Sequence, residues 1–282
     1  MDKWVVYILL AVCLSSCGQA SGNKQVKQGT DSLQNDTVVS HSVDSLAYAY
    51  LKSGRIMYEN GDKLGAIAKY NKAIEIDPLY MLAYYNRGLS KSKIGDNQGA
   101  IDDYSKAIQI NPQYIKAYFS RGLIKSKLGD NKEAIVDYSK AIQINPQYIK
   151  AYFNRGNCKS KLGDKEGAIS DYNKAIELDA QNINAYINLG VEKYELGDYE
   201  GEIATYRLAI KNCSPDADLY NNLGRALYDL KRFKEAAEAY GEGIKAFPND
   251  GKLYYGRGLA RNRLGDKNGA CEDWHRSSEL GC

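Results

Sequence analysis

Residues Asp103 to Phe119 read Asp-Tyr-Ser-Lys-Ala-Ile-Gln-Ile-Asn-Pro-Gln-Tyr-Ile-Lys-Ala-Tyr-Phe, and Asp137 to Phe153 repeat them without a change 34 positions later. Self-similarity at a period of this size marks a stacked array, in which each unit touches only its neighbours. Working outward, the same period divides the chain into units 47–80, 81–114, 115–148, 149–182, 183–216, 217–250 and 251–282. The array as a whole is expected over 45–282.

Several columns are nearly uniform. The fourth place is Tyr50, Tyr84, Tyr118, Tyr152, Tyr186, Tyr220 and Tyr254, and the eighth is Gly from Gly54 to Gly258. A middle Ala column (Ala66, Ala100, Ala134, Ala168, Ala236, Ala270) is broken only by Glu202. A second aromatic column runs Tyr70, Tyr104, Tyr138, Tyr172, Tyr206, Tyr240 and Trp274. Pro78, Pro112, Pro146 and Pro248 close units; Ala180 and the displaced Pro215 interrupt that column. Such columns account for 24 Tyr against 4 Phe and 2 Trp. Apolar residues recur at helical spacing, as in Ile101, Tyr104, Ala107 and Ile108. Leu128-Gly129-Asp130 reads as a stop and a start: Gly tolerates a left-handed exit, and Asp caps the next helix. Each unit is therefore two antiparallel helices, with the Tyr columns as core and the Gly column as a point of close approach.

The order aromatic, Gly, Ala, aromatic, Pro resembles the tetratricopeptide repeat over residues 47–282. The resemblance implies an all-α fold, an α-solenoid with a right-handed superhelix. It also implies a concave groove, lined by the first helix of each unit, in which peptides lie. Glu202 and the Ala180 and Pro215 junctions depart from the pattern and leave the packing around the fifth unit open.

Residues 1–16 read as a signal peptide: Lys3, then an apolar run from Trp4 to Leu14, too short to span a bilayer. Leu14-Ser15-Ser16-Cys17 resembles the bacterial lipoprotein cleavage box, which would leave the lipid on Cys17. A plain signal cut near Ala20 is the alternative. Residues 17–44 are polar and are expected to be a disordered tether. The expected location is a bacterial cell envelope, the outer membrane or a periplasm-facing membrane.

Net charge is +3, from 38 basic and 35 acidic side chains, which does not point to nucleic acid. With two His, no phosphate loop and no nucleophile elbow, we expect no catalytic residues, metal, cofactor or small-molecule substrate. Cys158 and Cys271 sit in core-like columns, and a Cys271–Cys282 bridge is not expected across about 16 Å of helical rise. In the last unit Ser277-Ser278 replace Ala-Ile and are expected to face water.

Two constellations carry predictions. Arg87, Arg121, Arg155 and Arg257 each precede an Asp by sixteen residues: Asp103, Asp137, Asp171 and Asp273. Where the Arg is absent (Ser53, Leu189, Leu223), so is the Asp (Lys69, Thr205, Ala239). A structural ion pair between the two helices of one unit follows, since a buried Arg wants a carboxylate. The second constellation is the other face of the leading helices. It holds Tyr85, Phe119, Phe153 and Ile187 as an exposed apolar ribbon, with Asn86, Ser120, Asn154, Asn188 and Asn222 in the next column and Asn157 nearby. Lys93, Lys116, Lys127, Lys150 and Lys161 make its middle basic. The Asn column resembles the ladder by which some family members hold an extended chain. The family's two-carboxylate clamp wants Lys at the fifth place, where Tyr or Phe stands here. The expected function is a non-enzymatic scaffold for a protein partner, extended and partly acidic. The alternatives are self-association through Trp274 and Cys282, or polyanion binding through the Lys face.

Overall fold

The computed structural model describes residues 31–282, with side chains from Asp44 onward. The described residues form fourteen helices, two per unit. They pair as α1 (Asp31–Glu59) with α2 (Lys63–Ile76), α3 (Met81–Lys93) with α4 (Asn97–Ile110), and α5 (Ile115–Leu128) with α6 (Asn131–Ile144). The middle pairs are α7 (Ile149–Lys161) with α8 (Lys165–Leu178), and α9 (Ile183–Glu195) with α10 (Tyr199–Asn212). The last are α11 (Ala217–Asp229) with α12 (Phe233–Ala246), and α13 (Gly251–Arg263) with α14 (Lys267–Glu279). Each helix contacts mainly the ones before and after it. The signal segment 1–16 and Cys17 lie outside the described residues. The first residues of α1, from Asp31, overlap the segment expected as a tether. Polar side chains do not forbid a helix that already has a packed turn to extend, because each added residue then gains a backbone bond.

The helix ends follow local chemistry. Gly129 leaves α5 at φ 94, a left-handed value that a side chain would penalise. Asp62, Asp96, Asp164, Asp198 and Asp266 cap the following helices by accepting from the backbone N–H three residues on. Asp130 does not, contrary to expectation. The capping units carry Gly at that third residue, and a Cβ on Gly99 would overlap the Asp96 carboxylate. Unit three has Glu133 there, so its Cβ displaces the cap.

The second Tyr column is the core. Tyr70, Tyr104, Tyr138, Tyr172 and Tyr206 are at most 1% exposed, among fully buried Ala66, Ala100, Ala134 and Ala168. A ring of this size removes roughly 150–250 Å² from water, so it dominates the burial in an Ala-rich unit. The Gly column explains how it fits. A Cβ on Gly122 would lie 2.8 Å from Tyr138 Cε1, closer than carbon atoms pack. The first Tyr column is less uniform: Tyr152 and Tyr186 are buried, and the other five are half-buried.

The last unit corrects two expectations. Ser277 is 2% exposed, not facing water; its hydroxyl donates to the Gly251 carbonyl at 2.9 Å. The C-terminal turn folds back, with the Cys282 N–H on the Ser277 carbonyl, and covers it. Cys271 is exposed, whereas Cys158 is buried. The four described cysteines are free thiols.

Candidate functional site

Units two, three, four and seven have a polar interior that links their two helices. Arg87 Nε and Nη2 donate to Asp103 Oδ2 and Oδ1 at 2.9 and 2.6 Å. Arg121 holds Asp137 at 3.0 and 2.6 Å, and Arg155 holds Asp171 at 2.9 and 2.6 Å. Arg257 holds Asp273 at 2.9 and 2.6 Å. The carboxylates are buried, and each guanidinium also lies over the Tyr three residues before it, as Arg87 does 5.4 Å from the Tyr84 ring centre. This is the two-bond fork that Arg forms and Lys cannot.

Sequence reasoning missed a second cation on each carboxylate. Lys91, Lys125 and Lys159 approach Asp103, Asp137 and Asp171 at 3.0, 2.8 and 2.9 Å. Arg261 does the same to Asp273 at 3.0 Å. Each stands four residues after the forked Arg, one turn along the same helix. In unit five, where Thr205 replaces Asp, Lys193 donates to the Thr hydroxyl at 2.9 Å instead. The signal was available in part: this place is Lys or Arg wherever the Asp is present and Met57 or Leu227 in units one and six, although Lys193 persists in unit five.

The third arm of the fork ties one unit to the unit before. Arg87 Nη1 donates to Asn71 at 2.7 Å, Arg121 Nη1 to Ser105 at 2.8 Å and Arg155 Nη1 to Ser139 at 3.0 Å. The equivalent neighbour of Arg257 is Gly241, and a Cβ there would lie 3.9 Å from Nη1 with nothing else near. A Ser hydroxyl at 241 would reach that nitrogen. Gly241→Ser should stabilise the C-terminal units by about 1–2 kcal/mol, partly through helix propensity and partly through the charged bond. Gly241→Ala supplies the propensity alone, so a Ser variant with a lower denaturation midpoint than the Ala variant would remove the bond from the account.

The face of the leading helices differs from expectation in one respect. Tyr85, Phe119, Phe153 and Ile187 are half-buried, not exposed. Each ring folds down onto the Tyr of its own second helix: Tyr85 on Tyr104 at 5.8 Å, Phe119 on Tyr138 at 5.8 Å and Phe153 on Tyr172 at 6.0 Å. Tyr85 and Phe119 also meet Tyr114 and Tyr148 edge-on. Ile187 packs against the core of the later units. Packing against these rings shields one side of each residue, so the ribbon is a floor rather than a ridge. Burial raises the Tyr85 phenol pKa, and a hydrogen bond from Ser120 opposes the shift.

The Asn column is divided. Asn86 and Asn154 turn their amides back to the Leu82 and Lys150 carbonyls of their own helices, at 2.7 and 2.8 Å. Their carbonyl oxygens remain as acceptors. Asn188 donates to Asn157 at 2.8 Å, and the Tyr172 hydroxyl donates to the same oxygen at 2.8 Å, linking units four and five. Asn222 is half-buried. Lys93, Lys116, Lys127, Lys150 and Lys161 are exposed. None of the five lies within ion-pair distance of a carboxylate among the described residues. That the second, fifth, sixth and ninth places share one surface is shown in units six and seven. There Asn221, Arg225, Lys252, Tyr255 and Gly256 line one cavity. Among the described residues no three of His, Cys, Asp and Glu are grouped as a metal site would need, and no helix is long and apolar enough to cross a membrane.

Among solved structures, a tetratricopeptide repeat protein from Parabacteroides merdae superposes with TM-score 0.59 at 20% identity, over 84% of this chain and 94% of that one. MamA superposes with TM-score 0.55 at 25% identity, over 56% of this chain and 93% of that one. YrrB, described as a TPR protein with an unusual peptide-binding site, has TM-score 0.51 at 18% identity, over 63% and 92%. No curated protein matches the sequence. Family profiles described as TPR repeat match residues 54–95, 92–129 and 122–163. Those described as tetratricopeptide repeat match 149–182, 183–214 and 217–250. These matches run from residue 54 to residue 250 with scarcely a gap, so the chain belongs to the tetratricopeptide repeat family, whose arrays serve as scaffolds for protein and peptide partners.

Proposed function

We propose that this array takes up an extended, acidic segment of a partner protein along its leading helices, and that lipid on Cys17 tethers it at a bacterial envelope. The observation that carries the first half is the row of five exposed lysines without carboxylate partners, set beside half-buried rings. The contrast with Lys91, Lys125 and Lys159 supports this reading. Those lysines are spent on buried carboxylates inside the units, while Lys116 and Lys150 have no such duty. Cations held along one face favour a partner of opposite charge and speed its encounter. The rings give the partner an apolar floor, and the Asn86 and Asn154 oxygens can accept from its backbone N–H groups. The second half is supported by the basic start, the apolar run and the small residues before Cys17.

A capped peptide of alternating Asp and Gly serves as the probe. Replacing Lys116 and Lys150 together by Glu should weaken its binding about tenfold at low salt, with helicity unchanged. Added salt should narrow the gap, because exposed charges are screened. Equal affinity for the wild type and the double variant would sink the groove reading. For the tether, fatty-acid labelling that persists in Cys17→Ser would sink the lipid reading.

A further inference from the structure

In units two to four, a ring at the fifth place covers the core Tyr of the second helix. Unit six lacks it: Asn221 stands where Tyr85, Phe119 and Phe153 stand. Its core Tyr240 is 5% exposed, against at most 1% for Tyr70, Tyr104, Tyr138, Tyr172 and Tyr206. The sixth place of unit seven is Gly256, with no side chain where units two to six have Asn or Ser. A Cβ there would collide with the Tyr240 ring, so the backbone lies directly on it. The result is a cavity of about 450 Å³ bounded by Asn221, Tyr240, Gly256 and Tyr255. Tyr255 is 53% exposed, an aromatic wall without a partner ring. Arg225 and Lys252 also line the cavity, and both are exposed. Neither forms an ion pair among the described residues.

We propose that this cavity receives an aromatic side chain from a partner segment in which acidic residues flank the aromatic one. The shape argument is internal to the chain. The space is the one a Phe or Tyr fills in three other units, at 5.8 to 6.0 Å from the core ring. A guest ring would stand in the same relation to Tyr240, with Tyr255 as a second contact. The flanking carboxylates would meet Arg225 on one wall and Lys252 on the other. An uncharged aromatic would leave both cations unanswered, and an acidic segment without a ring would leave the cavity wet. The site lies in units six and seven, apart from the lysine row of units two to four. Its failure and the failure of the groove reading are therefore separable.

The test uses the full chain and two capped tripeptides, acetyl-Asp-Phe-Asp-amide and acetyl-Asp-Ala-Asp-amide, followed by calorimetry and amide chemical shifts. The Phe peptide should bind at least about tenfold more tightly than the Ala peptide, with shifts centred on α11 and α13. Asn221→Phe refills the hole with the chain's own ring. It should abolish the preference while leaving the melting temperature equal or higher, so loss of binding cannot be loss of fold. Arg225→Ala with Lys252→Ala should weaken the Phe peptide about fivefold and flatten its salt dependence. The proposal is overturned if the wild type does not distinguish the two peptides. It is equally overturned if Asn221→Phe keeps the preference, or if the shifts centre on units two to four.

Discussion

Asp137→Ala will destabilise the middle of the array by about 3–5 kcal/mol, because it strands two half-buried cations around the site of a buried carboxylate. Asp137 is 1% exposed and receives Arg121 at 2.6 Å and Lys125 at 2.8 Å. Removing the carboxylate leaves the guanidinium and the ammonium facing each other with no counter-charge, held close by the packing around them. The same chain contains the apolar solution to the same site. Unit six has Leu223, Leu227 and Ala239 at the places of Arg121, Lys125 and Asp137, and all three are buried. The triple variant Arg121→Leu, Lys125→Leu, Asp137→Ala should therefore recover most of the loss, since exchanging a whole buried ion cluster for apolar groups is often neutral or stabilising. Because each unit couples only to its neighbours, the readout should be local: hydrogen exchange of α5 and α6, beside the denaturant midpoint. If the single variant loses less than about 1 kcal/mol, the cluster is not a closed one. If the triple variant is as weak as the single, the loss comes from packing rather than from stranded charge.

Much of this was legible beforehand, and the reason is the repeat itself. A column that changes in step with another sixteen residues away, as Arg121 and Asp137 do, reports a contact without any alignment. Helix ends were legible where a single residue sets them, as Gly129 does. What stayed hidden has physical causes. Lys125 looks like any solvated Lys until its tip is seen to reach across to the neighbouring helix. Helical spacing sets Phe119 on an outer face. Spacing gives the direction of a Cα–Cβ bond, not where a long ring folds, and Tyr138 offers a better surface than water. The column position suggests an Asn86 free to hold a partner, but an amide one turn from its own Leu82 carbonyl can satisfy itself. The missing ring at Asn221 was written in the sequence too. It reads as a mere substitution until the cavity beside Tyr240 gives it a meaning.

Raising the pH from about 4.5 to about 7 should weaken units five and six, and Glu202→Gln should abolish that weakening. Glu202 is 1% exposed, in the column that other units fill with Ala. Burial pushes its carboxyl up from 4.5 to about 7; Arg225 opposes the shift, and Asp229 adds to it. The folded chain thus keeps a proton between those two values that the unfolded chain has released. Stability falls with pH wherever the folded state binds more protons, so this group's contribution is whole below about 4.5 and gone above about 7. The span is worth about 3 kcal/mol. The acids Glu235 and Glu279 are shifted down, so they lose their contributions on the acid side and leave this window clear. Gln keeps the size of the side chain and cannot ionise. At pH 8 the variant should exceed the wild type by roughly that amount, and at pH 4.5 the two should nearly coincide. Exchange of the α10 and α11 amides reads the effect where it arises, undiluted by the stable units around it. Parallel pH curves for wild type and variant would show that Glu202 is ionised in the fold at neutral pH. Arg225, the opposing cation from α11, would then be its counter-ion and not a free wall of the cavity beside Tyr240.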